Sequence, residues 1–397
     1  MTMTSAEETA RPAGRIDSVD WLRGLVMVVM ALDHVREFFT SNPFGAGNPA
    51  TATPLLFFTR WITHFCAPTF VLLAGAGAYL YGARGRSKGT LAWFLLSRGL
   101  WLILLELTWV RWSSLFNLDY RFSFGQVIWA IGGSMVVLSA FVWLRSWIIG
   151  AIGLAIIAGH NLLDGIPAEK LGAPDWLWTL LFRQGGITVA PGYAYFNVYP
   201  LFAWIGVLFA GYGLGPVLNF EPARRRRILF AVGVGITIAF VVLRGYHLYG
   251  DSRPWLPQTD WLRSAMWFLA CTKYPPSLQF LLMTLGPALA LLAVVDCASS
   301  PPFRPLVTFG RVPLFFYLMH FPLIHGLAVV WAHFQYGRTD WLFTNPGLTA
   351  PRAPTDGGMP LAGVYVVWVL VLLALYWPCR WFAGVKRRHP GGVLSYL

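Results

Sequence analysis

The stretch SVDWLRGLVMVVMALDHVREFF (residues 18–39) is a long apolar run that contains both an arginine and a histidine. A run of about 18 or more mainly apolar residues indicates a membrane-spanning helix. Because an α-helix turns about 100° and rises about 1.5 Å per residue, Arg23 and His34 lie on one face, about 16 Å apart along the axis. A cation and a titratable base inside lipid are costly unless they are paired or functional. The stretch therefore predicts a helix that carries chemistry across a bilayer.

The composition extends this interpretation to the whole chain. Of its 397 residues, 56% are hydrophobic and only 12% are charged, whereas soluble domains carry about 25% charged residues. Backbone hydrogen bonds in lipid must close within the protein, which favours helices. A short helix, interfacial or re-entrant, is expected at 260–270. We expect an all-α polytopic integral membrane protein of about ten transmembrane helices, at 19–40, 55–82, 91–112, 125–144, 146–162, 193–217, 228–246, 276–296, 306–334 and 360–385.

Positive charge alternates between the loops in a way that predicts the orientation. By the positive-inside rule, both termini are expected in the cytoplasm and the protein in the plasma (inner) membrane. The expected organisation is a cytoplasmic tail at 1–18, a membrane domain at 19–385 and a basic cytoplasmic tail at 386–397. These loops also explain the net charge of +13, so no nucleic-acid partner is expected. The basic residues of this set are Arg11, Arg15, Arg84, Arg86, Lys88, Arg145, Arg224, Arg225, Arg226, Arg227, Arg304, Lys386, Arg387 and Arg388.

Ionisable residues inside the predicted helices form two layers by depth. The cytoplasmic layer is cationic and could bind an anionic ligand; it contains Arg23, Arg98 and Arg311. The outer layer is titratable and could serve a group that needs a base; it contains His34, Arg60, His64, Glu106, His320 and His325, and it is bordered by Lys273 and Tyr274.

Several of these residues have a structural alternative. Arg23 could extend its charge to lipid headgroups, and Glu106 could form an ion pair with Arg60 or His64. Asp33 is expected to pair with Arg36, three residues along the helix. His320 and His325 are five residues apart and hence about 140° apart on a helix, so at most one of them faces a given cavity.

Motifs of other enzyme classes are absent from the sequence. It contains no G-x-S-x-G, H-E-x-x-H or G-x-x-x-x-G-K-[ST] pattern. Its four cysteines form no C-x-x-C pair, so neither a disulfide framework nor a zinc site is indicated. No histidine pair has the spacing of metal ligands, and we expect no metal.

Five segments resemble the heparan-α-glucosaminide N-acetyltransferase catalytic-domain family. Together they sample almost the whole chain. The family belongs to a wider set of transmembrane acyltransferases, many of which carry an arginine and a histidine separated by ten residues in the first span, as Arg23 and His34 are here. The segments are RIDSVDWLRGLVMVVMALDHVREFF (15–39), TRWITHFCAPTFVLLAGAGAYLYG (59–82), SRGLWLILLEL (97–107), TKYPPSLQFLLMTLGP (272–287) and GRVPLFFYLMHFPLIH (310–325).

The resemblance implies transfer of an acetyl (acyl) group from cytoplasmic acetyl-CoA to an acceptor hydroxyl or amine on the opposite side of the membrane. The expected acceptor is a carbohydrate, either a sugar or a glycolipid. Arg23 would match the donor-side arginine and His34 the catalytic histidine. One position departs from the lysosomal heparan enzyme, which has an asparagine at the place of His34 and its important histidine in the following loop. Residues 40–54 contain no histidine here, so the site resembles the wider superfamily more closely.

Acyl transfer from a thioester assigns a role to each candidate. His34 is expected to be the general base, or a nucleophile, with Glu37 orienting its ring. Guanidinium groups match phosphate geometry, so Arg23, Arg98 and Arg311 would hold coenzyme A. Arg60 and Tyr274 are candidate oxyanion donors. The outer residues as a group would bind the acceptor: Arg60, His64, Glu106, Lys273, Tyr274, His320 and His325. We expect Arg23 and His34 to open onto one continuous cavity lined by the second, third and ninth helices.

A competing interpretation is a multi-span transporter or a lipid-binding membrane protein without acyl transfer. The same buried charges and the interrupted runs YPPS and HFPLIH would suit it. A non-catalytic membrane scaffold is a third alternative, and the sequence leaves a homodimer open.

Overall fold

The protein, described by a computed structural model over residues 16–40, 45–297, 301–346 and 358–389, is a helical bundle. Its strands are β1 (Phe122–Gly125), β2 (Gly185–Ala190) and β3 (Tyr193–Asn197). Its helices are α1 (Asp17–Phe39), α2 (Pro54–Ile62), α3 (Cys66–Gly82), α4 (Lys88–Leu105), α5 (Arg111–Leu115), α6 (Val127–Phe141), α7 (Ser146–Gly159), α8 (Asp175–Leu181), α9 (Leu201–Leu218), α10 (Pro222–Gly245), α11 (Trp261–Leu269), α12 (Leu278–Val295), α13 (Pro305–Arg311), α14 (Pro313–Tyr336) and α15 (Leu361–Arg388).

The membrane character predicted from the composition is confirmed. Within the described residues, eight continuous helical segments are long and apolar enough to cross a membrane. The other two predicted positions are occupied by α1, whose 23 residues include several charges, and by α6, which has only 15 residues. The short helix predicted at 260–270 is present as α11, whose first turn is capped by the Asp260 carboxylate.

The sixth predicted helix begins later than expected, because residues 193–197 form a strand. In the small sheet, β3 lies between the other two strands, parallel to β1 and antiparallel to β2. Its segment YAYFN is rich in aromatic residues, which favour strands. The prediction of a helix from residue 193 is therefore wrong at its start, and α9 begins at Leu201.

Three long helices are interrupted at or next to predicted site residues. The second is broken by a 3₁₀ turn that contains His64, and the third by a π turn that begins at Glu106. The ninth is split at Val312 because the following Pro313 has no amide N–H and disfavours helical geometry in the residue before it. Irregular helical turns of this kind occur often at functional sites.

Helix α1 lies at the centre of the bundle and packs against α3, α13, α14 and α15. We call the face at which α1 begins the Arg23 side, and the face at which it ends the His34 side. On the Arg23 side, Ser18 donates to Asp296 over 2.6 Å, and Arg225 pairs with the same carboxylate at 2.7 Å. These contacts join the starts of α1 and α10 to the end of α12.

The predicted terminal tails lie mostly outside the described residues. Residues 1–15, with Arg11 and Arg15, and residues 390–397 are not described. The described parts of both tails extend the helices beyond the predicted boundaries, since α1 begins at Asp17 and α15 continues to Arg388.

Two glycines allow α1 and α13 to touch backbone to backbone. A Cβ at Gly24 would lie 1.8 Å from the carbonyl oxygen of Leu306, and a Cβ at Gly310 would lie 1.7 Å from that of Asp20. Small residues permit such close approach between helices in lipid. The contact fixes the positions of the neighbouring residues Arg23 and Arg311.

Replacing Gly24 with alanine should force α1 and α13 apart and lower the free energy of unfolding by about 2–3 kcal/mol, as overpacking does in cores. Thermal unfolding of the purified protein in detergent measures this. Gly235→Ala is the matched control, because nothing lies within 4 Å of its Cβ position and alanine favours helix. Equal unfolding temperatures for the two variants would contradict the role of the contact.

Candidate active site

A cavity of about 500 Å³ opens at the Arg23 side and runs into the bundle. Its polar end is formed by helix termini on that side. Its walls deeper in the bundle are apolar. Most of the lining comes from α1, α3, α4, α6 and α14; the residues include Arg23, Met27, Phe70, Leu73, Tyr81, Arg84, Phe94, Arg98, Leu102, Ile128, Met135, Arg311, Leu314, Tyr317 and Lys386.

The cavity collects the predicted cationic layer. Among the described residues that line it, five are basic and one is acidic: Arg23, Arg84, Arg98, Arg311, Lys386 and Asp20. Arg23 contacts Asp20 at 3.0 Å and the carbonyl oxygen of Gly310 at 3.4 Å, and Arg311 contacts Asp17 at 3.2 Å. The arrangement leaves an excess of positive charge around an apolar interior.

His34 lies further along α1, beside α14. Its Nδ1 is 3.2 Å from Oε2 of Glu37, one helical turn away. Its ring centroid lies 4.3 Å from that of Phe321 and 5.1 Å from that of His320. The exposed fraction of the side chain rises from 13% at His34 to 38% at Glu37, so the pair is open toward the His34 side.

The charges next to His34 are paired in a buried network. Asp33 accepts from Arg36 over 3.0 Å, which confirms the predicted pair, and it also contacts Arg60 of α2. Arg60 also donates a hydrogen bond to the Thr63 hydroxyl over 3.1 Å. Arg60 therefore holds α1 against α2 through Asp33, and its guanidinium is engaged by protein groups.

The predicted ion pair of Glu106 with Arg60 or His64 is wrong. The Glu106 carboxylate instead accepts from the backbone N–H of Gln126 at 3.0 Å and of Trp129 at 3.2 Å. These amides form the first turn of α6, where the unpaired N–H groups and the helix dipole attract an anion. Glu106 is fully buried and serves as a cap for that helix.

The two histidines of α14 have different surroundings, as their angular separation predicts. His325 contacts the carbonyl oxygen of Ser113 through Nδ1 at 2.9 Å and stacks on Phe116 at 3.9 Å, which is a packing role. His320 lies beside His34, and its Nδ1 is 2.5 Å from the carbonyl oxygen of Tyr317.

A second cavity, of about 580 Å³, lies on the His34 side. Tyr274 lines it, and its hydroxyl is 3.5 Å from that of Tyr199. The ammonium of Lys273 lies 5.1 Å from the Tyr274 ring. His64 lies in the 3₁₀ turn that breaks the second helix, where it is buried with its ring centroid 5.5 Å from that of Phe280 in α12.

The expected continuous cavity is only partly found. The second, third and ninth predicted helices do line the cavity at Arg23, but His34 is not among the described residues that line it. Tyr317 forms its deep wall, with its ring 5.3 Å from His320 and 5.7 Å from Phe321. Tyr317, which sequence reasoning missed, thus stands between the cavity and His34. Its position in the run FFYLMH, one turn before His320, was the available signal.

In the part of the chain that is described, no three His, Cys, Asp or Glu side chains lie close enough together to bind a metal ion. The two features that remain are a cationic, apolar-walled cavity and a carboxylate-oriented imidazole beyond its deep wall.

Part of the chain matches a known protein family. A family model described as heparan-alpha-glucosaminide N-acetyltransferase, catalytic, matches residues 15–248. The matched part contains Arg23, His34, Glu37 and Arg98, whereas Arg311, Tyr317 and His320 lie beyond it. No curated protein matches the chain. The family is one of membrane-bound acyltransferases. Since more than half of the chain is matched, the protein belongs to the heparan-alpha-glucosaminide N-acetyltransferase catalytic-domain family.

Proposed function

We propose that the protein transfers an acetyl group from cytoplasmic acetyl-CoA to a hydroxyl or amine of a carbohydrate acceptor on the opposite side of the membrane. The observation that carries the proposal is that α1 contributes Arg23 to a cationic cavity and His34 to a site beyond its deep wall. One helix thereby connects a place for an anionic donor with a base for the acceptor.

The cavity at Arg23 suits coenzyme A by charge and by polarity. Coenzyme A carries several phosphate charges at one end and a flexible, largely uncharged arm that ends in the thioester. Arg23, Arg98 and Arg311 would hold the phosphates, since guanidinium groups form strong charge-assisted hydrogen bonds to them. The apolar walls formed by Met27, Leu102 and other residues would surround the arm and point the thioester toward Tyr317.

His34 has the environment of a general base. A carboxylate only accepts hydrogen bonds, so the contact with Glu37 places the proton of a neutral imidazole on Nδ1 and leaves Nε2 able to accept one. His34 would take the proton of the acceptor as it attacks the thioester carbon. Glu37 would orient the ring and stabilise the imidazolium that forms, as the third member of hydrolase triads does.

The acceptor would approach from the His34 side. His34 and Glu37 are partly exposed there, and the second cavity, bordered by Tyr274, offers aromatic and polar groups that suit a sugar. The alternation of basic loops supports a cytoplasmic location for the Arg23 side and for both termini.

Replacing His34 with alanine should lower kcat for transfer of labelled acetyl groups by about 10²–10⁴, the usual contribution of a general base. Purified protein with labelled acetyl-CoA and a panel of amino sugars and glycolipids measures the rate. His333→Ala is the matched control, since that histidine is exposed near the end of α14. Normal transfer by His34→Ala would exclude the assignment. Accumulation of a solute in liposomes by wild-type protein, without use of acetyl-CoA, would favour a transporter.

Replacing Arg98 with glutamine should raise KM for acetyl-CoA about tenfold or more, because a hydrogen bond to a charged group is lost. Acetyl-pantetheine, which has no phosphates, should be used equally by wild type and variant. Arg145→Gln, an exposed arginine outside the cavity, should leave KM unchanged. An equal loss for both donors would show that Arg98 does not bind phosphate.

The cysteines allow a direct test of orientation. Cys297 is exposed after the end of α12 on the Arg23 side, whereas Cys66, Cys271 and Cys379 are buried. A membrane-impermeant maleimide should label the protein in inside-out vesicles and not in intact cells, and Cys297→Ser should remove the labelling. Labelling of Cys297 in intact cells would reverse the proposed topology.

A further inference from the structure

Tyr317 combines two properties that the packing of the bundle does not explain. Its side chain forms the deep wall of the cavity, yet it is only 4% exposed. Its hydroxyl has no hydrogen-bond partner among the described residues. Buried polar groups are almost always hydrogen-bonded, so an unpaired one in a cavity wall needs an explanation.

One turn further along α14, one ring nitrogen of the buried His320 also lacks a hydrogen-bond partner within the described part of the chain. The carbonyl oxygen of Tyr317 can only accept, so the 2.5 Å contact places a proton on Nδ1 of neutral His320. The opposite ring atom, Nε2, is then an acceptor, and it has no partner in the described ranges. A donor hydroxyl and an acceptor nitrogen are thus both unsatisfied between the cavity and His34. The Tyr317 hydroxyl and Nε2 of His320 can therefore bind a polar group that the protein itself does not supply.

The position of Tyr317 matches the place where charge would develop in acyl transfer. On one side the residue borders the cavity that would hold the thioester. On the other side its ring contacts His320 and Phe321, and both of these contact His34. A carbonyl group attacked by an acceptor at His34 would therefore lie next to the Tyr317 side chain. A tyrosine hydroxyl is neutral at pH 7 and can donate a hydrogen bond there.

We infer that the Tyr317 hydroxyl is the oxyanion donor of the proposed transfer, a catalytic residue rather than part of the packing. The inference rests on the proposed function. As His34 takes the acceptor proton, the acceptor oxygen or nitrogen bonds to the thioester carbon, and the carbonyl electron pair moves to oxygen. Tyr317 donates a hydrogen bond to that oxygen and keeps its own proton. When the carbonyl re-forms, the carbon–sulfur bond breaks and the sulfur takes the proton back from His34.

This assignment replaces the two donors suggested by the sequence. Arg60 is occupied by Asp33 and Thr63, and Tyr274 faces the second cavity and Tyr199. Tyr317 alone among the three borders the cavity with the cationic lining.

The test is Tyr317→Phe, which removes one oxygen atom and preserves the ring. Loss of one oxyanion donor lowers kcat by about 10²–10³, while KM for acetyl-CoA should stay within about threefold of the wild-type value. The unfolding temperature should be unchanged or higher, because the hydroxyl removed had no partner. Tyr365→Phe is the matched control: that hydroxyl is 2.9 Å from Thr59, so its loss should lower stability slightly and leave kcat nearly unchanged.

Three outcomes separate this inference from the proposed function. A wild-type protein that transfers no acetyl group to any acceptor would overturn both. Active wild type with a Tyr317→Phe variant of equal kcat would overturn only the role of Tyr317. A fall in kcat accompanied by a clearly lower unfolding temperature would show that the hydroxyl has a structural partner, and it would also overturn the inference.

Discussion

The structure depends on keeping the charges of α1 paired inside an apolar bundle. An isolated ion in a medium of low polarity costs several kcal/mol, so each buried charge needs a partner within reach. Asp33 receives both Arg36 of its own helix and Arg60 of α2, which fixes the rotation of α1 and its distance from α2. Arg36 also lies 3.7 Å from one carboxylate oxygen of Glu37, whose other oxygen is 3.2 Å from Nδ1 of His34. The orientation of the proposed base thus follows from how the neighbouring charges are neutralised.

The other end of α1 is held by a different type of contact. Gly24 and Gly310 bring the backbones of α1 and α13 together. Because Arg23 and Arg311 are the adjacent residues, this contact also fixes where they lie. The separation between Arg23 and His34 is then set by the rise of one helix, about 16 Å. A helix held at both ends is a rigid spacer, so Arg23 and His34 keep a constant distance without a hinge or a moving domain.

Relations within one helix could be predicted from the sequence, and relations across the fold could not. The shared face of Arg23 and His34 and the pair Asp33–Arg36 follow from helical periodicity alone. The cap that Glu106 provides was hidden, because its partners are backbone amides about 20 residues away. The small sheet was missed because its aromatic strand also reads as an apolar run. For Tyr317 the sequence offers only its place one turn before His320, because an unpaired hydroxyl is a property of tertiary structure.

The wall between the cavity and His34 has a physical purpose in a membrane enzyme. A continuous water-filled passage through the bundle would conduct protons and would expose a bound thioester to hydrolysis. Tyr317 and Phe321 close that passage with aromatic rings, while His320 and the Tyr317 hydroxyl keep polar atoms within the closure. Exclusion of water also strengthens each hydrogen bond made there. A thioester and an acceptor that meet at this wall would therefore find donors and acceptors already in place, in a medium where those groups stabilise charge best.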